Sequence, residues 1–409
     1  MNSRKFILGK EPFIRKADHF ENTSTMMWDF IIALIPIIIF AWYKNGLMPY
    51  FSDEVVVPVN FWQMIYPLVL VITGAVVCAG IEFVYYAYIK KENIKNVLSQ
   101  LHVAAIPGIL LGLLMPLAAP IWILIIGCFI ATIVVKILFG GFGHNIFNPA
   151  LVGYVFVLSA YYGVILKAGG FPNALELNIL TSSRLSSELI AGATPLTHFK
   201  ANLYASMDDI ISPYGSLFKM FLGFKPGVLG ETSTLLCILG GVYLSLRKVI
   251  DWKIPVIYVG TVFVLSYFIG MATGYGFDIR YPIFNIITGG LMFGAVFMAT
   301  EPVTGPKTPN GKVLFSISLG ILTILFRFLS NYPEGVATSI LLMNLLVILL
   351  DEICANIRVQ PLVKKRLIAY SIIVLFFIGI SLYVVMKMNS GFKEQEIFTT
   401  FINYTLGGQ

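Results

Sequence analysis

A few carboxylates stand within or at the ends of long apolar runs in this sequence: Asp29, Glu82, Glu231, Glu301, Asp351 and Glu352. A carboxylate held in hydrocarbon costs several kcal/mol unless it is paired, so acids in such places are candidates for holding or moving a cation. Glu301 follows one apolar run and sits among Pro302, Pro306 and Pro309; Asp351 and Glu352 close another run on the same side. A cation relay through Glu301 and Asp351 is one reading of that side. The other places all three acids at headgroup level, in contact with water, where they cost little.

Amides and a hydroxyl form a second set of candidates. Residues 140–150 read Gly-Gly-Phe-Gly-His-Asn-Ile-Phe-Asn-Pro-Ala, a glycine-rich turn in which Asn145 and Asn148 offer both donors and acceptors to a planar polar ligand. Residues 227–233 open a later apolar run, with Thr232 or Ser233 placed to cap it. Thr194 follows Gly192 and Ala193, so its hydroxyl is sterically open and could carry a bulky covalent group; an ordinary loop threonine reads the same way.

The elements that must position these residues are membrane helices. Of 409 residues, 57% are hydrophobic and 12% are charged, about half the charged share of an ordinary soluble domain. Runs able to cross a bilayer are expected at 26–43, 62–89, 101–117, 121–139, 150–166, 231–246, 254–272, 281–299, 313–329, 335–353 and 367–386. The net charge of +7 does not indicate nucleic acid, because the basic residues cluster in the gaps between runs, as topology requires. Arg4, Lys5, Lys10, Arg15, Lys16, Lys90, Lys91, Lys95, Arg247, Lys248, Lys253, Lys307, Lys312, Arg358, Lys364, Lys365 and Arg366 fall on one side. Lys44, Arg280, Lys387 and Lys393 fall on the other, so the N-terminus is expected in the cytoplasm. The polar start gives no sign of a cleavable signal peptide. Cys78, Cys128, Cys237 and Cys354 are scattered singly, as are the four histidines, which argues against a disulfide framework or an iron–sulfur, haem or zinc site built by this chain alone.

The first ten runs form two sets of five around the long loop 167–230. An odd number per set makes the second half enter the membrane with opposite polarity. Proline-interrupted runs occupy matching places in both halves, at Pro116 and Pro120 and again at Pro302, Pro306 and Pro309. This is the sequence mark of a site at the interface of an inverted repeat, although the same prolines could simply kink or end helices. The expected division is a cytoplasmic segment 1–25, a first repeat 26–166, an outer loop 167–230, a second repeat 231–353, and an additional span with its tail, 354–409.

Taken in order, five segments resemble the RnfD/NqrB family of membrane subunits from ion-pumping redox complexes. They are G-G-x-G-x-N-x-F-N-P-A at 140–150, A-G-A-T-P-L at 191–196, G-x-L-G-E-T-S at 227–233, F-M-A-T-E-P-V-T at 297–304, and Y-P-E-G-V at 332–336 followed by L-L-M-N at 341–344. The 304–312 stretch T-G-P-K-T-P-N-G-K is closer to the RnfD branch. Glu301 stands where the family usually has Asp, Ala191 stands where a small or hydroxyl residue often precedes G-A-T, and the run 367–386 has no counterpart. The resemblance implies a ten-helix inverted repeat similar to urea transporters, with an eleventh C-terminal helix. It implies FMN joined through its phosphate to Thr194 on the outer face by a flavin transferase, with Gly192 and Ala193 beside it, and a riboflavin placed by Asn145 and Asn148. The implied setting is a bacterial inner membrane, among partner subunits that carry iron–sulfur clusters and further flavin. The implied activity is ferredoxin:NAD⁺ oxidoreduction coupled to Na⁺ or H⁺ translocation. The alternatives are a subunit of an Na⁺-translocating NADH:quinone reductase and a non-redox channel of urea-transporter type.

Overall fold

The structure, a computed structural model, describes residues 23–51, 60–167, 194–201, 206–273, 275–329 and 335–359, with positions 379, 383 and 386. Among the described residues the fold is all-helical, with no strand. The principal helices are α1 (Thr23–Trp42), α2 (Phe61–Val84), α3 (Leu101–Leu114), α4 (Ile121–Phe129), α5 (Pro149–Lys167), α6 (Thr234–Leu246), α7 (Lys253–Ala272), α8 (Arg280–Ile287), α9 (Leu291–Phe293), α10 (Pro309–Leu329) and α11 (Val336–Val359). π-helical turns extend α1, α2, α4 and α9, at Tyr43–Leu47, Tyr85–Ile89, Ile130–Ile137 and Gly294–Met298. Most of segment 1–25, much of loop 167–230 with Gly192 and Ala193, the Tyr332-Pro333-Glu334 turn and nearly all of the run 367–386 lie outside the described residues.

Five helices are long and apolar enough to cross a membrane, and four shorter apolar helices accompany them. The run expected at 281–299 is two pieces. α8 and the α9 segment meet at a 64° bend, and together they make a sixth candidate span. The bend falls at Thr288-Gly289-Gly290, where both glycines have positive φ. Gly290 also meets the Glu231 carboxylate, so a Cβ there would be strained by both backbone and contact.

Large apolar side chains point outward at helical spacing, as with Ile32, Ile35 and Ile39 on α1 and Leu342, Leu345 and Leu349 on α11. A water-facing surface would not hold such stripes, and a lipid-facing one requires them. The chain is thus a multi-pass membrane protein. Inside the bundle, small residues let backbones meet. α2 packs most extensively on α3, and at their crossing a Cβ on Gly74 or on Gly108 would strike the other's backbone.

Helix starts follow their polar residues. Asn60 Nα–H is accepted by Gln63 Oε1 at 2.9 Å at the head of α2. Ser233, of the two hydroxyls considered, caps α6 by accepting the Leu236 N–H at 3.3 Å. Asn148 accepts the Leu151 N–H at 3.3 Å, with Pro149 opening α5 behind it. Near the Arg247 end of the bundle, Asp29 of α1 takes a hydrogen bond from Tyr243 Oη at 2.9 Å and one from Arg247 Nε at 3.1 Å, clamping α1 to α6.

Candidate functional site

The sequence segments converge on two places, one at each end of the bundle. At the Arg247 end, the glycine-rich turn 140–150 lies against the turn that follows α9. Asn145 Nδ2 donates to the Phe147 carbonyl at 3.2 Å and reaches Glu301 Oε1 at 3.5 Å, while Thr304 Oγ1 donates to Glu301 Oε2 at 2.9 Å. Asn148 Nδ2 reaches the Met298 carbonyl at 3.5 Å. The Asn344 side-chain oxygen accepts the Asn148 N–H at 3.1 Å in the amide orientation that satisfies its neighbours. Asn145, Asn148 and Glu301, assigned to different tasks from sequence, therefore share one chamber, and the L-L-M-N segment supports it from behind.

The chamber is walled by Phe30, Pro107, Phe142 and Phe297 and encloses about 50 Å³. That is room for a small ion or a few waters, and well below the several hundred Å³ of a pocket that holds an organic ligand. The two amides suit the edge of a flavin ring chemically. Glu301 lies outside the helices and is half-buried. Burial pushes its carboxyl up to about 7, against the opposing pull of Thr304, Asn145 and the nearby Lys136 ammonium.

Asp351 does not join this chamber. Its carboxylate accepts Lys307 N–H at 2.8 Å, Thr308 N–H at 2.9 Å and Thr308 Oγ1 at 2.6 Å, at the turn that starts α10. This is a capping role borrowed from a neighbouring helix. Asp351→Ala is expected to cost about 1–2 kcal/mol, seen as a lower midpoint of thermal unfolding in detergent, with ions moved per electron unchanged. A loss of transport at unaltered stability would restore Asp351 to the relay.

A buried ion pair borders the chamber, and its basic half was missed in the sequence reading. Lys136 Nζ, 3% exposed, lies 2.5 Å from Glu82 Oε1 and 5.5 Å from the Phe142 ring centre. Lys136 is a single charge inside the run 121–139; weighing basic as well as acidic residues in the runs would have found it.

At the other end, the break after α8 is held by cations. Arg327 of α10, fully buried, donates to the carbonyls of Asn285 at 2.5 Å, Thr288 at 2.9 Å and Gly289 at 3.0 Å. Lys225 donates to the Ile287 carbonyl, and Lys44 to the Lys225 carbonyl. Lys44, read from sequence as an outer-segment charge, is 1% exposed. Carbonyls freed at a helix C-terminus carry partial negative charge, which is why cations collect there.

Thr194 approaches this break. It is 6% exposed, and its carbonyl accepts the His198 N–H at 2.9 Å to open the helix Pro195–Ala201. Two residues on, Leu196 packs at Gly289 beside the Arg327 guanidinium. Phe199 lies against Tyr275, Tyr281 and Phe284, which fixes the segment to α8. The threonine singled out from sequence thus stands immediately before a short helix docked to the broken span.

Most of the chain is similar to known proteins. Residues 7–360 match the family described as "NQR2, RnfD, RnfE family". The chain is similar to the D-type subunit of the proton-translocating ferredoxin:NAD(+) oxidoreductase complex of Clostridium ljungdahlii, at 34% identity over 358 residues, 86% of this chain and 96% of that protein. It is similar to the D-type subunit of the Na(+)-translocating ferredoxin:NAD(+) oxidoreductase complex of Acetobacterium woodii, at 31% identity over 352 residues, 86% of this chain and 94% of that protein. A third relative is the D-type subunit of the ion-translocating oxidoreductase complex of Stutzerimonas stutzeri, 35% identical over 325 residues, 75% of this chain and 89% of that protein. With its motifs, its helical bundle and these relatives in agreement, the chain belongs to the NQR2, RnfD, RnfE family.

Proposed function

We propose that this chain is the D-type membrane subunit of an ion-translocating ferredoxin:NAD⁺ oxidoreductase. The observation that carries this reading is similarity along nearly the full length of relatives named for that complex, one proton-translocating and one Na⁺-translocating. The protein lies in the bacterial inner membrane with the Asn145 end in the cytoplasm and Thr194 toward the outer face. It works beside subunits that carry iron–sulfur clusters and further flavin.

Its helices form two inverted sets of five, α1–α5 and α6–α11, with α8 and α9 counted as one span. In support, equivalent members pack on each other, α1 on α6 and α5 on α11, as they do around a two-fold axis. FMN attached at Thr194 rests on the A-G-A-T-P-L match at 191–196; Leu196, two residues on, packs at Gly289 beside the Arg327 guanidinium. FMN supplies an electron carrier there. A flavin transferase installs it. The riboflavin expected at Asn145 and Asn148 would share their amides with the chamber of Glu301.

The chain's own part in coupling is to admit a cation at the cytoplasmic side. Glu301 holds it there, with Thr304 and Asn145 fixing the carboxylate. Moving one charge against 100 mV takes about 2.3 kcal/mol, and a two-electron drop of 30 mV supplies about 1.4 kcal/mol. A drop of about 50 mV per ion is therefore sufficient.

The test uses the purified complex in sealed vesicles, with reduced ferredoxin and NAD⁺ as substrates and ion uptake as readout. Ferredoxin-dependent NAD⁺ reduction with uptake supports the reading. Quinone reduction from NADH without response to ferredoxin points to the quinone-reductase subunit, and passive solute flux without flavin to the channel. Because the Glu301 carboxyl titrates near 7, it is neutral below that pH and ionised above. With Na⁺ as the ion, uptake should therefore rise as pH increases through about 7. Glu301→Gln flattens that rise and lowers uptake, at normal flavin content. A variant that keeps full uptake removes Glu301 from the pathway.

A further inference from the structure

The Glu82–Lys136 pair stands between two spaces. On one side is the chamber of about 50 Å³ that Lys136 shares with Asn145 and Glu301. On the other is a larger cavity of about 320 Å³ whose wall holds Glu82, Tyr86 and Glu92. Val103 and Phe142 line both, so a thin partition separates them, and the pair is part of it. One ammonium therefore serves two carboxylates, in contact with Glu82 and close enough to Glu301 to bias its charge. Around the pair stand the Cys78 and Cys128 thiols and the Thr132 hydroxyl, which cannot replace a missing positive charge.

A buried carboxylate needs a positive partner at every stage, because an uncompensated charge away from water is costly. A lysine can leave and return, since its compact charge rides on a flexible stem. We propose that Lys136 is a tethered counter-ion shared by the Glu82 and Glu301 pockets, displaced from Glu82 toward Glu301 when the transported Na⁺ or H⁺ reaches Glu82. No covalent bond changes apart from protonation of the Glu82 carboxylate when H⁺ is the ion. One positive charge arrives at Glu82, and the ammonium moves one pocket on, where the Glu301 carboxylate receives it. When the ion leaves, Lys136 returns and prevents Glu82 from holding it. The proposal rests on the reading that this complex moves a cation.

Lys136→Gln removes the internal competitor. The expected result is a half-saturating Na⁺ concentration lowered about fivefold or more, with fewer ions moved per electron because release slows. With H⁺ as the ion, the midpoint of the pH profile moves upward instead. Lys136→Arg keeps the charge and so the half-saturating concentration, but its planar guanidinium lacks the compact head that exchanges between pockets, so fewer ions are still moved per electron. The carboxylates facing the pair are Glu82, Glu92 and Glu301, so E92Q is run alongside to separate their parts of the pH profile. Should K136Q fail to assemble, E82Q/K136Q removes both charges together and supplies the measurement: its uptake no longer responds to the ion that the wild type follows. Unchanged cation and pH dependence in K136Q, or wild-type dependence in the double variant, reduces the pair to packing and overturns the proposal. A wild-type complex that reduces NAD⁺ without moving any ion overturns the functional reading instead.

Discussion

Thr194→Ala is expected to leave the denatured subunit dark under in-gel flavin fluorescence, beside a bright wild-type band from cells that make the flavin transferase. A phosphoester needs an oxygen on the side chain, and alanine has none. The substitution leaves the local fold in place, because the helix Pro195–Ala201 is opened by the backbone carbonyl of residue 194 and anchored by Phe199. Its stability cost should be small, within about 1 kcal/mol. Ferredoxin-dependent NAD⁺ reduction should fall to background while the complex still assembles, and Thr194→Ser should recover a fluorescent band. A bright Ala variant places the flavin on another residue. A dark wild-type band removes the flavin from this subunit and favours the channel reading.

The second large effect concerns stability. Arg327→Leu should lower the thermal unfolding midpoint sharply, by the equivalent of about 3 kcal/mol or more. The guanidinium satisfies three carbonyls at once, those of Asn285, Thr288 and Gly289, in a place where α10 and the broken span exclude water. Each acceptor left unmet costs about 1–3 kcal/mol, and leucine meets none of them. Arg327→Lys should recover only part, because an ammonium lacks the planar fork that reaches separate carbonyls. Limited proteolysis near Gly289 gives an independent reading, since the bend should open in the Leu variant. A Leu variant as stable as wild type would show that Lys225 alone holds the break.

How far the fold was legible from sequence depends on what each signal encodes. Helices α1 to α7, α10 and α11 lie within a few residues of their expected runs, because a bilayer-spanning segment is written in composition over about 20 residues. The break at Gly289 was legible in principle, from paired glycines in a run, but the prolines near Pro302 drew the reading to the end of the span. Lys136 and Arg327 are charges within apolar runs, and a rule that assigns sides from basic residues between runs passes over them. Lys44 was read from its place beside a span end, which says nothing of the loop that buries it under Lys225. The chamber was half legible. Asn145, Asn148 and Glu301 were each singled out, but their meeting depends on a contact across 156 positions that no local pattern encodes. Asp351 shows the converse, an acid at a span end whose task, capping a neighbouring helix, is set by a turn 43 positions earlier.

The clamp between Asp29 and Arg247 has a consequence for biosynthesis. Its two ends are 218 positions apart, so at about 5–20 residues per second a ribosome takes roughly 10–45 s to make the second after the first. For that interval α1 sits in the insertion machinery with an acid whose ionic partner has not been translated. α1 can pack on α2 and α3 as soon as they are made, but its ionic clamp closes only with the second half of the chain. A nascent product truncated in the loop before α6 would keep Asp29 without the Tyr243 and Arg247 groups that hold it in the finished bundle.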